Sequence, residues 1–130
     1  MASIFSKIIA GEIPCYKVAE DEKHIAFLDI NPLQLGHTLV MPKKEEDYIF
    51  GMGDDDFLAL NLFSKRIAEA MKKALPCKRI SQAVIGMEVP HVHIHLIPIN
   101  KESDLNFKDI KHLSDDEMKD VAKKIADAMN

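Results

Sequence analysis

The stretch that most restricts the fold of this chain is HVHIHLIP, residues 91–98, in which histidine alternates with aliphatic residues. A period of two is that of a β-strand, because successive side chains point to opposite faces of a sheet. We expect the three histidines to share one face, and the aliphatic residues between them to point into the core. These two sets are His91, His93 and His95, and Val92, Ile94 and Leu96.

The other segments predict a small α+β fold. Ser3 can cap a short N-terminal helix that ends near Gly11, and residues 54–75 carry an apolar stripe at helical spacing. Ser114 and Glu117 have the spacing of a capping box that opens a C-terminal helix. Strand patterns cover residues 15–20, 24–30, 37–42, 79–86 and 91–98. The short connections predict a five-stranded antiparallel sheet.

Length and charge narrow the classes of protein. The 130 residues predict one domain, 1–130, whose residues 101–130 form a C-terminal extension with a helix. The net charge of -4 gives no reason to bind nucleic acid backbones, and no apolar run approaches the ~20 residues that span a membrane. Without a secretory signal or a CxxC pair, Cys15 and Cys77 predict reduced thiols in a cytoplasmic protein.

Three interpretations of the histidine strand stay open at this point. A solvated polar face would more commonly carry Thr, Lys, Glu or Ser. A metal site is limited by geometry, because His91 and His95 would lie about 13 Å apart along a strand, so that only two of the three, together with His37, could hold one ion. In nucleophilic catalysis, a neutral imidazole attacks through one nitrogen while an acceptor holds the proton on the other.

The sequence resembles the histidine triad (HIT) family of nucleotide hydrolases and transferases, and most of all its Hint-like branch. HVHIHLI matches the family signature of three histidines separated by apolar residues. Three further blocks are similar in sequence and occur in the family's order: SIFSKIIAGEIP, IAFLDINP and GHTLVMPKK. The resemblance covers roughly residues 3–100. It implies the HIT fold, with a long helix, a short N-terminal helix and a C-terminal helix beside the sheet.

The resemblance also implies catalytic roles. His93 would be the nucleophile that attacks the α-phosphorus of a nucleoside phosphoramidate or a related nucleotide conjugate. A nucleotidyl-histidine intermediate would form, and water would then release the nucleoside monophosphate. His91 would orient His93 through its backbone carbonyl, and His95 would contact phosphate oxygens or the leaving group. His37 matches a fourth family histidine.

The nucleotide site follows from the same resemblance. Asp29 matches the carboxylate that accepts hydrogen bonds from the 2′- and 3′-hydroxyls of ribose. An apolar base pocket is implied at Phe5, Ile8, Phe27 and Ile30. No cofactor and no metal are expected, because Ser3 and Ser6 occupy the stretch that holds the zinc cysteines of some relatives.

The chain departs from its relatives just before the triad. Hint-like proteins carry Gly-Gln-Ser or Gly-Gln-Thr there, whereas this chain has Gly86, Met87 and Glu88. The backbone amides of Met87 and Glu88 can still bind phosphate. The upstream loop is shortened, no position in it is matched to the asparagine that the family carries there, and Gln82 can take that role.

We therefore expect an enzyme with a small-molecule nucleotide substrate that acts as a HIT-family hydrolase similar to purine nucleoside phosphoramidases. Two alternatives remain: a nucleotide-binding module with weak catalysis, and a histidine-ligated metalloprotein. Like Hint-like relatives, the chain is expected to form a homodimer through the long helix and the fourth strand.

Overall fold

The computed structural model describes residues 3–130. Its three helices are α1 (Ile4–Ile9), α2 (Asp54–Ala74) and α3 (Asp115–Asp127). Its five strands are β1 (Lys17–Glu20), β2 (His24–Leu28), β3 (Thr38–Pro42), β4 (Arg79–Ala83) and β5 (Ile94–Ile99). Short 3₁₀ turns lie at Ile49–Gly51 and Glu102–Asp104. None of the described helices is both long and apolar enough to cross a membrane.

The five strands form one sheet in the order β1-β2-β3-β5-β4, and every neighbouring pair is antiparallel. The predicted α+β class, the antiparallel sheet and the three helices are confirmed. β2 and β3 are central and buried along their whole length, because both faces of the sheet are covered.

Both faces of the sheet carry packed apolar side chains, but the two layers differ in size. α2 and α3 pack on one face, where Leu60, Ile67 and Ile125 are fully buried together with Ile94 and Leu96 of β5. The smaller opposite layer combines Phe5 of α1 with residues of β2 and β3: Ile25, Phe27, Leu39 and Met41. Since His95 pairs with Leu39 across the ladder, the His95 ring shares the face covered by α1.

The helix ends follow the predicted capping. The Ser3 side chain accepts a hydrogen bond from the Ser6 amide at the start of α1. At the start of α3, Ser114 and Glu117 form the expected capping box. α2 begins at Asp54, one residue after Gly53, and it ends one residue before the predicted boundary.

The boundaries of the last two strands are a correction to the sequence prediction. β4 ends at Ala83 instead of residue 86, and β5 begins at Ile94, so His91 and His93 precede the strand. The backbone groups that would continue the ladder have other partners. The Pro42 carbonyl oxygen lies 2.7 Å from His91 Nε2, and the Val92 amide donates to the Glu46 carbonyl at 2.6 Å.

Candidate active site

The three histidines of the triad are buried, although His91 and His93 lie outside the regular strand. His91, His93 and His95 are 0%, 7% and 8% exposed. The aliphatic residues between them, Val92 and Ile94, are 1% and 0% exposed in the core on the α2 face. The alternation into two faces is therefore confirmed, and the interpretation as a solvated polar face is wrong.

His93 is held in one orientation by the backbone of the triad itself. Its Nδ1 atom lies 2.7 Å from the His91 carbonyl oxygen. A carbonyl can only accept, so Nδ1 carries the proton and the lone pair is on Nε2. Within residues 3–130, Nε2 has no hydrogen-bond partner and is not among the buried unpaired atoms, so it faces the open site.

The His91 ring is fixed by hydrogen bonds on both of its nitrogens. Its Nε2 donates to the Pro42 carbonyl at 2.7 Å, and its Nδ1 lies 3.4 Å from Ser3 Oγ, which can donate to it. Ser3 also donates its amide to Glu45 Oε1 at 3.2 Å. These contacts tie the start of α1 and the end of β3 to the residue whose carbonyl positions His93.

His37 sits at the start of β3 with a defined tautomer. The Leu33 amide donates to His37 Nδ1 at 3.0 Å, so this nitrogen is an acceptor and Nε2 of the neutral ring carries the proton. His37 Nε2 lies 2.9 Å from His95 Nδ1 and donates to it. His95 in turn carries its own proton on Nε2, which has no partner within residues 3–130.

The turn before His37 depends on Gly36. Its φ of +93° lies in the left-handed region that favours glycine. A Cβ atom at this position would lie 2.5 Å from Leu75 Cδ1 at the end of α2. Gly36 therefore lets the chain turn tightly enough to aim His37 at His95.

Burial keeps these rings neutral near pH 7. Desolvation, followed by the charges of neighbouring histidines, lowers the pKa of His37 to about 3. Desolvation also lowers the pKa of His95 to about 4, and His93 makes a smaller contribution. The pKa of His93 is lowered from 6.5, again mainly by desolvation. The Nε2 nitrogen of His93 is therefore unprotonated over the neutral range.

Asp29 completes the polar cluster from the end of β2. Its Oδ1 accepts from the Asn31 amide at 2.9 Å, and its Oδ2 lies 3.6 Å from His37 Nε2. Desolvation raises the pKa of this carboxyl above its ordinary value, and the Glu88 charge acts in the same direction. Asp29 is only partly buried, so its remaining acceptor capacity is open to a ligand.

Asp29, His37 and His95 place three potential metal-ligand atoms within 4.8 Å of one another. The hydrogen bonds argue against an ion there. His37 Nδ1 already accepts from the Leu33 amide, so freeing Nε2 for a metal would require an imidazolate or the loss of that bond. The site is not the predicted combination either, because only one triad histidine joins His37. The donor set does not fit a resident metal.

The apolar residues assigned to the base pocket separate into two groups. Phe5 and Phe27 are buried, lie 6.0 Å apart between ring centroids, and pack with Ile8. The Phe5 ring also meets the His93 ring edge-on at 4.9 Å. Ile30, in contrast, is 69% exposed and does not join this cluster.

The segment that departs from the Hint-like pattern lies at the rim of the site. Gly86 has a φ of +70°, and the Met87 side chain is 86% exposed. The charge of the exposed Glu88 carboxylate adds to the desolvation that raises the pKa of Asp29, and it offsets a small part of the desolvation that lowers the pKa of His93. Lys43 is not a partner for Glu88, since its Nζ lies 2.7 Å from Glu20 Oε2.

A buried histidine with one nitrogen held by a carbonyl, beside two further histidines on the same face, is the geometry expected from the sequence signature. Comparison with known proteins agrees, because the HIT domain family model matches residues 10–102, well over half of the chain. The chain belongs to the HIT family.

This HIT protein is 42% identical to an uncharacterised HIT-like protein of Methanocaldococcus jannaschii, over 88% of this chain and 94% of the relative. It is 39% identical to the adenosine 5′-monophosphoramidase HNT1 of Saccharomyces cerevisiae, over 78% of this chain and 65% of that protein. A crystal structure of a Hit-like protein from Bartonella henselae superposes with a TM-score of 0.85 and 33% identity, over 97% and 95% of the two chains.

Two contacts of the HIT site could not be found by sequence reasoning. The Leu33 amide has no side-chain signature, and its bond to His37 arises from the path of the loop after β2. The Phe107 ring meets the His95 ring at 5.4 Å and 88°, yet it lies in a segment without helical or strand periodicity, beyond the family match. An isolated aromatic residue in a polar stretch was its only signal.

Proposed function

We propose that this protein is a nucleotide hydrolase that cleaves nucleoside phosphoramidates, or related nucleotide conjugates, at the α-phosphorus. The observation that carries the proposal is the His93 ring, whose Nδ1 proton is held by the His91 carbonyl at 2.7 Å while Nε2 faces the site. A pKa lowered by burial keeps this nitrogen available at neutral pH. The relationship to proteins named adenosine 5′-monophosphoramidase points to the same chemistry.

In the proposed reaction, His93 Nε2 attacks the α-phosphorus and a phosphorus–nitrogen bond to the ring forms. The bond to the leaving group breaks, and its electron pair departs with the amine, which takes up a proton from water. His95 is neutral, so its Nε2–H acts as a hydrogen-bond donor to the leaving atom or a phosphate oxygen. Water then attacks phosphorus, frees His93 and releases the nucleoside monophosphate.

The nucleoside would lie on the α1 side of His93. Phe5 and Phe27 supply apolar surface there, and Ile8 packs against them. Asp29 would accept hydrogen bonds from the ribose hydroxyls. Oδ1 contacts the Asn31 amide and Oδ2 faces the histidine cluster, but each carboxylate oxygen can accept a second hydrogen bond. The amides of Met87 and Glu88 would contact the phosphate.

The direct test is a turnover assay with purified protein. Adenosine 5′-phosphoramidate, dinucleoside polyphosphates and nucleotide sugars are offered in parallel, and nucleoside monophosphate release is measured. We expect AMP to be released from the phosphoramidate over multiple turnovers. Binding of AMP without release from any of the three substrate classes would favour a nucleotide-binding module, the alternative motivated by Met87 and Glu88 at the phosphate position.

Glu88 is expected to select against highly charged substrates. Its carboxylate influences both Asp29 and His93, and like charges a few ångströms apart repel by about 1 kcal/mol or more. The double variant Met87→Gln, Glu88→Ser should therefore raise kcat/KM for dinucleoside polyphosphates about fivefold more than for phosphoramidates. Met87→Gln alone is the control, since it restores a hydrogen-bond donor without removing the charge.

Salt provides a second readout of the same prediction. The advantage of the double variant on polyphosphates should shrink as ionic strength rises, because an exposed charge is screened. An equal gain on both substrate classes at low salt would mean that the Glu88 charge does not act on substrate.

We further propose a homodimer formed through α2 and β4. β4 is an edge strand, and the neighbouring surface exposes Phe50, Leu58, Leu62 and Ile85, each more than half exposed. Exposed apolar patches and free edges favour association. Light scattering should give twice the monomer mass of 14.7 kDa, and Leu62→Asp should lower it. A 14.7 kDa species for the unmodified protein at micromolar concentration would refute the dimer.

A further inference from the structure

Phe107 gives the active site a wall that lies beyond the family match. Its ring meets the His95 ring at 5.4 Å between centroids and at 88° between planes. The residue Phe107 is 43% exposed, whereas His95 is 8% exposed. One part of the Phe107 ring therefore covers His95, and the other part is open to solvent beside it.

The segment that carries Phe107 is attached at two points to the loop that bears Asp29. The Gln34 side-chain amide donates to the Asp104 carbonyl at 3.0 Å, and the Lys111 amide donates to the Pro32 carbonyl at 2.7 Å. Gln34 and Pro32 both belong to the loop between β2 and β3, which also bears Asp29. Phe107 is thus held between two anchors, which limits its loss of freedom when a ligand binds.

The surroundings of His95 determine where a leaving group can extend. His37 occupies one side at 5.2 Å between ring centroids and is 1% exposed, so it leaves no room for a ligand. His93 occupies another side at 4.9 Å and is the proposed nucleophile. Among the ring neighbours of His95 in residues 3–130, Phe107 alone has a substantially exposed surface. A group that departs beside His95 Nε2 would meet that surface.

We propose that Phe107 forms the apolar wall of a leaving-group subsite, and that this protein favours conjugates whose departing amine carries an aromatic or alkyl substituent. The inference rests on the proposed hydrolase function, because it assigns the partner of the leaving group in that reaction. Phe107 supplies apolar contact and no charge, so it offers nothing to the ammonia released from an unsubstituted phosphoramidate.

Two substrates separate this role from a purely structural one. They are adenosine 5′-phosphoramidate, which releases ammonia, and its N-arylalkyl derivative, which releases an aromatic amine. Phe107→Ala is expected to lower kcat/KM for the aryl substrate about five- to tenfold more than for the unsubstituted one, the scale of one aromatic contact. Phe107→Leu should retain most of the preference. Ile110→Ala, at a similarly exposed position of the same segment, should leave it unchanged.

An equal loss on both substrates would overturn the proposal, because it would mean that Phe107 only shields His95. A preference unchanged in Phe107→Ala would overturn it as well. A binding measurement tests the contact between Phe107 and the leaving group without catalysis. In a His93→Ala background, Phe107→Ala should weaken binding of the aryl conjugate about five- to tenfold and leave AMP binding unchanged.

This second arm also distinguishes the two proposals from each other. Without turnover by the unmodified protein, the hydrolase proposal fails, while selective weakening of the aryl conjugate still supports the subsite. Turnover combined with equal weakening of AMP and the conjugate supports the hydrolase and rejects the subsite, because Phe107 would then contact the nucleoside.

Discussion

Replacing His93 by alanine is expected to reduce turnover of adenosine 5′-phosphoramidate by about a thousandfold or more, since loss of a covalent nucleophile is among the largest single effects in enzymes. The described residues offer no other nucleophile in the same position. Folding should persist, because the aliphatic neighbours Val92 and Ile94 pack on the opposite face and stay in place. Turnover, thermal unfolding and AMP binding are to be measured on the same preparation.

A matched control for this variant is another buried histidine. His24 is 6% exposed, stacks on Phe63 at 5.1 Å and bonds to Asp21, and its ring has no ring contact with the triad histidines within residues 3–130. His24→Asn can keep a group near the Nδ1 position and should leave turnover close to that of the unmodified protein. Wild-type turnover in His93→Ala, or a collapse of activity in both variants, would remove the special role of His93.

The second large effect is expected at His37, where two amide substitutions should behave oppositely. Asn can place an oxygen near the Nδ1 position and keep the acceptor for the Leu33 amide, but it has no group to reach His95. Gln can place an amide N–H near the Nε2 position and donate to His95 Nδ1. We expect His37→Asn to lose about 10- to 100-fold in kcat, and His37→Gln to recover part of that loss.

Stability should follow the reverse order. In His37→Gln the Leu33 amide loses its buried acceptor, which costs about 1–3 kcal/mol of unfolding free energy, whereas His37→Asn retains it. Denaturant unfolding and kcat measured for both variants test this crossed pattern. Two variants that rank in the same order for activity and stability would indicate that His37 acts only through packing.

The pH dependence gives a further readout of His37. In the unmodified protein His93 has a pKa below 6.5, so the acid limb of kcat/KM should lie below pH 6.5. His95, with a pKa of about 4, should contribute only at still lower pH. Without the donated proton of His37, His95 can adopt the other tautomer, with the proton on Nδ1. In a variant without this donor, the pH-independent value of kcat/KM should fall, while the acid limb of the profile, which His93 sets, should stay at the same pH.

The sheet and its helices could be predicted from the sequence because their signals are local. The apolar stripe of α2 and the capping box of α3 each lie within a few turns of one helix, and both predictions are confirmed. The inward and outward alternation around the triad was also readable. The start of β5 could not be predicted from local signals. The His91 ring and the Val92 amide bond to the carbonyls of Pro42 and Glu46, which lie about 50 residues away in the chain.

The residues of the site could be predicted from the sequence more fully than their protonation states. The sequence placed His37 and His95 in one site, but their tautomers follow from a backbone amide at Leu33 and a contact between residues 58 positions apart. Ile30 stays a prediction. A resemblance assigned it to the base pocket, and it lies exposed after the end of β2, where the chain leaves the sheet.

We propose that His93 carries the nucleotide during the reaction, and one measurement tests this directly. The unmodified protein is mixed with excess adenosine 5′-phosphoramidate, quenched during turnover under conditions that preserve phosphorus–nitrogen bonds, and mapped by peptide mass spectrometry. We predict an adenylyl group on His93, absent from the His93→Ala protein. An adenylyl group on another residue, or turnover with none on His93 at any quench time, would contradict the covalent mechanism.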